Sequence, residues 1–243
     1  MNLDTRRQIS WPAIAAEGVA IVASILLAFS IDAWWQRRSE LRQAHALELA
    51  LREDFDANQS QLDEWRAGNA RIHRASLQFL QMIRDAERDA EISVPLQLIT
   101  GVAGAPTYSP TESAWQIATA TGEIDFIEND ELRGTLARWR QQLADTSEDE
   151  ILIRDIVVHE LIPALSSQVR LGEAFEYQRI MDFFRGQPHA GEHEAVRIRA
   201  TSALEGALAE RVFYATFVVD GLNDIYETQA QILRILDADL KAR

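Results

Sequence analysis

The 243-residue chain contains no cysteine. Disulfides, thiolate metal sites and cysteine nucleophiles are thereby excluded together, and the redox compartment is left without a marker. Proline and glycine are scarce, at six and eleven residues, and neither occurs between Gly18 and Gly68. Basic charge is also short: 24 Lys and Arg stand against 38 Asp and Glu, for a net charge of −14. Arg6, Arg7, Arg37 and Arg38 against Asp4, Glu17 and Asp32 put +1 in the first 38 residues and −15 in the rest. Such a surface repels phosphate backbones and anionic headgroups, which argues against nucleic-acid binding and against lying flat on a bilayer. Strand-like runs, internal repeats and low-complexity tracts are lacking as well. No G-x-S-x-G, P-loop or dinucleotide fingerprint is present, and the serines and histidines lack triad spacing, so no catalytic residue and no cofactor is assigned.

What is present begins with the N-terminal apolar stretch WPAIAAEGVAIVASILLAFSIDAWW. Trp11 to Ile31 is 21 residues interrupted only by Glu17, close to the ~20 that cross a bilayer core. Trp11 at one end and Trp34 and Trp35 at the other stand where interfacial aromatics belong, with Arg37 and Arg38 beyond them. The expectation is a transmembrane helix over 11–36, preceded by a tail over 1–10 and followed by an acidic helical-bundle domain over 37–243. The competing readings are a cleaved signal peptide, opposed by the absence of a small-x-small cleavage pattern, and a buried helix, favoured by the 14-residue strictly uncharged run Gly18 to Ile31. At ~100° per residue, Glu17, Ala20, Ser24, Ala28 and Asp32 share one face, and Ala16, Ala20, Ser24 and Ala28 form a small-xxx-small row that lets helices approach closely. This face is the expected helix-contact site.

With no breaker before Gly68, the first helix should run on as one rod. Leu41, Ala44, Leu51, Phe55, Leu62, Trp65, Ile72, Phe79 and Ile83 mark its seam, with Glu48, Asn58, Asn69 and Ser76 as polar inserts. Such inserts either fix register or mark where the seam leaves the core. Pro95 to Pro110 reads as a loop or crossover, Thr111 as an N-cap with Gly122 as a stop, and Asn129 as the cap of a further helix. Another helix is expected from Ser147, ended or kinked at Pro163. Gly186 to Gly191 reads as a second loop. From Ser202 onward Leu208, Val212, Ala215, Val219, Leu222, Tyr226, Leu233, Leu236 and Leu240 form an apolar stripe in which Gly221 permits a bend. The fold class is all-α: two long helices enclosing shorter ones in a bundle.

Clustered chemistry is sparse. His189 and His193, with Glu192 and Glu194, come nearest to a metal-ligand set, but the glycine and proline around them read as a polar loop without H-E-x-x-H order, so no metal is assigned. The acid pairs Asp54 with Asp56 and Glu148 with Glu150 read as solvated helix surface. Trp115, Trp139 and Phe126 read as core.

The pattern E-x-x-x-I-V-x-x-I-L-L-A-F-x-I-D-x-W from Glu17, the later Leu51-x-x-Asp54-Phe55, Ala114-Trp115, Gly122 and Asn129-Asp130-Glu131-Leu132 together resemble a family of uncharacterised bacterial single-pass membrane proteins. That resemblance implies an inner-membrane location with one N-terminal span, and lends no activity, cofactor or catalytic residue. Members' more basic N-termini place their domain in the periplasm. The functional expectation is a non-enzymatic interaction or scaffold module that self-associates or docks onto another membrane protein in the lipid bilayer. The alternatives are a tethered ligand sensor, which needs a pocket between helices, and a hydrolase with a cryptic site.

Overall fold

A computed structural model describes residues 11–172, 174–188 and 194–242, the side chains of residues 11–16 and 19 excepted. Its longest element is α1 (Trp11–Asp85), a single helix of 75 residues and about 110 Å. The rod expected from the missing breakers is therefore continuous. It is followed by β1 (Glu91–Pro95), α2 (Leu96–Ala103), α3 (Ser113–Thr121), a 3-10 turn (Glu123–Phe126) and α4 (Asp130–Ile156). A π-helical turn (Val157–Leu161), α5 (Ile162–Ser166), α6 (Tyr177–Arg185), β2 (Ala195–Arg199) and α7 (Ser202–Ala242) complete the chain.

α7 runs antiparallel along the second half of α1. Arg52–Asp237 (2.6 Å), Arg66–Asn223 (2.8 Å), His73–Thr216 (3.3 Å) and Arg84–Glu205 (3.3 Å) mark the contact, and equal steps forward along α1 are matched by equal steps back along α7. Steps from Arg52 to Arg66 to His73 are whole heptads and the next, to Arg84, is a hendecad, a mixture that keeps the seam on one face without demanding strong supercoiling. Between the two helices lie Leu51, Phe55, Leu62, Ile72 and Phe79 of α1 and Leu204, Leu208, Ala215, Leu222 and Leu236 of α7, all buried. The surface ion pairs fix little energy by themselves, because exposed pairs contribute ~0–1 kcal/mol each. Burial of the seam holds the pair.

α4 packs on the other side of α7, so α7 is covered on two sides. This widens its buried stripe: Val218, Ile225 and Ile232 are fully buried, while the expected Val219, Tyr226 and Leu233 lie half-buried one position along. Gly221 allows the approach, since a Cβ there would overlap the Thr146 hydroxyl of α4. Gly68 and Gly101 act likewise as sockets on α1 and α2 for the consecutive rings Phe184 and Phe183 of α6.

Several expectations are corrected. Among the described residues no helix is long and apolar enough to cross a membrane. Glu17 and Asp32 confine the uncharged run to 14 residues, about 21 Å of helix against a ~30 Å hydrocarbon core. The single-pass anchor over 11–36, the inner-membrane location and the periplasmic placement built on it are thereby overturned; of the residues expected at the membrane interface, Trp34, Trp35, Arg37 and Arg38 are exposed along α1, and the Trp11 side chain lies outside the described residues. Strands occur where none was expected: β1 and β2 pair antiparallel with Ile92 opposite Ile198 and Val94 opposite Val196, tying the end of α1 to the start of α7. Pro95 to Pro110 holds a buried helix, α2, in its first half. No new helix begins at Ser147, because α4 runs unbroken through it. Pro163 lacks the N–H that an α-helix needs, and the preceding turn widens to π geometry before α5. Thr111 is not the cap of α3; Glu112 occupies that position. Asn129 does cap α4, accepting from the Leu132 N–H at 3.1 Å.

Two glycines give opposite expectations for one substitution. Gly221→Ala should destabilise the bundle by about 1–3 kcal/mol through overpacking against Thr146. Gly134→Ala, mid-helix in α4 with open space around its would-be Cβ, should be neutral or stabilising by up to ~1 kcal/mol. Thermal unfolding of both variants checks this, and equal midpoints would contradict the packing described.

Candidate functional site

The expected contact residues Glu17, Ala20, Ser24, Ala28 and Asp32 all lie on the first half of α1, and all are exposed. Every described side chain from Glu17 to Arg38 is exposed in the same way, with no other described element packed along it. Leu27 and Phe29 keep 63% and 67% of their surface, and Ile21, Ile25 and Ile31 at least half. Ser24 and Ser30 return their hydroxyls to the Ala20 and Leu26 carbonyls at 2.8 Å, so neither presents a free polar proton. At the base of this segment Trp34 and Trp35 meet edge to face at 5.3 Å and Arg38 lies over Trp34 at 5.5 Å. Arg37 reaches Glu128 at 3.4 Å, an exposed pair joining the rod to the segment before α4. The structure thus brings the predicted face together as a surface with no covering element among the described residues.

A second constellation is buried where α1, α4 and α7 meet the segment after α2. Asn58 donates to the Thr111 carbonyl and accepts from the Thr111 N–H, both at 2.8 Å. Asp54 accepts from the Ala114 N–H at 2.8 Å and so caps α3 from a neighbouring helix. The Tyr108 hydroxyl donates to the Asn58 carbonyl at 3.4 Å and accepts from Gln229 at 3.1 Å, while the Tyr108 N–H donates to Glu150 at 2.9 Å. Burial pushes the Tyr108 phenol up to about 12, opposed by the Gln229 bond. Burial likewise pushes the Glu150 carboxyl up to about 7, against the pull of the Tyr108 N–H and of Arg154.

Arg211 sits beside this network, 1% exposed. It donates to Ser76 Oγ at 3.2 Å and to the Gly104 carbonyl, and its Nη1 has no partner among the described residues. Burial lowers its guanidinium to about 9, which still leaves it charged at neutral pH. Arg211, Glu150 and Asn69 share the wall of an enclosed cavity of about 10 Å³, room for about one water. The arrangement is a structural knot: it satisfies the backbone of the crossover and has no space for a substrate.

The expected metal candidates His189 and His193 lie outside the described residues. Among the described residues no group of three or more His, Cys, Asp or Glu is placed to hold a metal. Trp139 is core as expected, edge to face with Phe55 at 4.7 Å, whereas Trp115 and Phe126 are half-buried. The acid pairs divide: Asp54 and Glu150 bond backbone, Asp56 and Glu148 face solvent. Among the described residues, His73 Nε2 meets Thr216 Oγ1 at 3.3 Å, a nucleophile-type contact. The Val212 carbonyl, 3.0 Å from Thr216 Oγ1, competes with His73 for the single hydroxyl proton, and the contact is solvent-exposed.

Sequence reasoning missed Glu150 and Arg211. Arg211 had a legible signal, a charge four residues before Ala215 and seven after Leu204 on the apolar stripe of α7. Glu150 had none, since it follows Glu148 and Asp149 in an acidic run.

No protein-family model, no curated protein and no solved structure matches the chain. The resemblance drawn from the N-terminal pattern is neither supported nor refuted by this.

Glu150 makes stability depend on pH. A carboxyl held above its ordinary value in the folded state favours folding while protonated; its contribution is complete below the ordinary carboxyl range and is lost as pH rises through about 7. Glu150→Gln keeps an acceptor for the Tyr108 N–H and removes the ionisation. The variant should gain about 1–3 kcal/mol over wild type at pH 8 and nothing near pH 3. Thermal unfolding at the two pH values measures it, and a variant less stable than wild type at pH 8 would contradict the assignment.

Proposed function

We propose that the protein is a non-enzymatic helical interaction module that self-associates through the first half of α1, the bundle formed by the remainder being the rigid body that this helix joins to its copies. The observation that carries this is the exposed apolar segment from Ile21 to Trp35. Contiguous apolar surface of this extent marks an interaction site on a folded protein. An isolated helix without tertiary contacts is also marginal in water, so this segment gains most of its stability from whatever covers it.

The small-residue row sets the contact geometry. On a helical wheel Ile21, Leu27, Ile31 and Trp35 flank Ala20, Ser24 and Ala28 within about 60°. Two copies meeting along the small residues bury these four flanking side chains on each. Val22, Leu26 and Phe29 lie on the opposite face, which favours more than one neighbour per helix. The sensor alternative has less support: the cavity at Arg211 in the bundle interior is water-sized, below the ~300 Å³ of ordinary ligand pockets, and the larger spaces, about 390 Å³ between α4 and α7 and about 490 Å³ beside β2, are clefts open to solvent. The hydrolase alternative has only the exposed His73–Thr216 contact, where the Val212 carbonyl competes for the hydroxyl proton.

Sedimentation equilibrium of the full chain tests the reading. Wild type should form oligomers at micromolar concentration, and Leu27→Glu with Ile31→Glu should weaken association at least about tenfold, the equivalent of ~1.4 kcal/mol. Thermal unfolding of the bundle should be unchanged, because these side chains touch nothing in it. A monomeric wild type, or equal association of wild type and variant, would overturn the proposal.

A further inference from the structure

In the strand pair that closes the bundle, the outer edge of β2 is open among the described residues. Ala200 N–H bonds to the Ala90 carbonyl at 2.9 Å and Leu96 N–H to the Glu194 carbonyl at 2.7 Å, so the even-numbered residues of β2 face β1. Antiparallel pairing alternates, and Arg197 and Arg199 therefore turn their N–H and C=O groups to the other side. There the Arg199 N–H is taken by Gln168 Oε1 at 2.6 Å and its carbonyl by the Thr201 N–H at 2.8 Å. The backbone of Arg197 has no partner among the described residues.

Along this edge runs an open cleft of about 490 Å³, lined by Arg197 and Arg199 on the strand and by Ala164, Ser167 and Gln168 across from it. Both arginines are exposed, and among the described residues neither lies within ion-pair distance of a carboxylate, in a chain where acids outnumber bases 38 to 24. They stand two apart on one strand and so share a face, at the spacing of alternate residues on a neighbouring strand. Glu91, opposite Arg199 on β1, also lines the cleft. It lies one strand further from any chain added at the β2 edge, about 10 Å away, where screening leaves little of its charge.

We infer that this edge takes an extended acidic peptide segment as a third strand, its main chain pairing with Arg197 and its alternate carboxylates meeting Arg197 and Arg199. Main-chain pairing supplies affinity in strand addition and alternate side chains supply selectivity; carboxylates gain charge-assisted, bidentate bonds from guanidinium groups. The surface is independent of the α1 contact, at the opposite end of the α1–α7 pair. The contrary role for such residues is protective, with charge at an open edge repelling other strands.

The test uses the full chain and a fluorescent acetylated pentapeptide alternating valine and glutamate, with two relatives: one with lysine for glutamate, one N-methylated at its central residue. Fluorescence anisotropy should show saturable binding of the acidic peptide, weakened roughly tenfold or more by N-methylation, by Arg197→Glu and by the lysine exchange. The peptide series needs no variant to fold, and Arg197→Glu is checked by circular dichroism. Absence of saturable binding up to millimolar acidic peptide, or equal affinity for the N-methylated or lysine peptide, would overturn the inference and leave the arginines as edge protection.

Discussion

The antiparallel contact between α1 and α7 governs the rest of the structure. It buries an apolar seam from Ala44 to Ile83 on one helix against Leu204 to Leu236 on the other, and its register is fixed at both ends. The β1–β2 pair closes one end, and Arg52 with Asp237 lies near the other. Among the described residues no long helix runs beside α1 before about residue 39, and every described side chain from Glu17 to Arg38 is exposed.

Polar residues on the seam serve the connections between helices. Asn58 and Gln229 replace apolar neighbours at core positions and bond the segment after α2, Asn58 through the Thr111 backbone, which would otherwise be buried unpaired, and Gln229 through the Tyr108 hydroxyl; Ser76 bonds Arg211 of α7. Asn58 and Gln229 each hold one defined residue of the crossover, Thr111 and Tyr108, which gives it one conformation. Arg211 extends this logic: a guanidinium on a core stripe binds Ser76 and the Gly104 carbonyl together, linking α7 to α1 and to the end of α2 at one point.

Much of the helical layout was legible. The absence of breakers gave the continuous α1, the Asn129 cap gave the start of α4, and the apolar stripe from Ser202 gave α7. The polar inserts were visible as inserts, but which of two roles they played depended on Thr111 and Gly104, distant in sequence. The strands were missed because five residues with one buried side chain each, Val94 in β1 and Ile198 in β2, carry too short a period to stand out against helical neighbours. Gly221 read as a cost to α7; its meaning lay in Thr146, seventy-five positions earlier. The N-terminal stretch was overread: tryptophans and arginines at its ends suggested a span, while Glu17 and Asp32 had already limited the uncharged run.

The central claim is that residues 20–36 form a helix stabilised by contact between copies, on a bundle that is stable without it. Amide hydrogen exchange of the full chain as a function of protein concentration addresses this directly, since a solitary helical extension opens locally while the packed seam exchanges only through larger unfolding. The account predicts that protection over residues 20–36 rises with concentration while that over residues 44–83 stays constant. Protection over residues 20–36 that is independent of concentration, whether absent throughout or as high as in the seam, would contradict it.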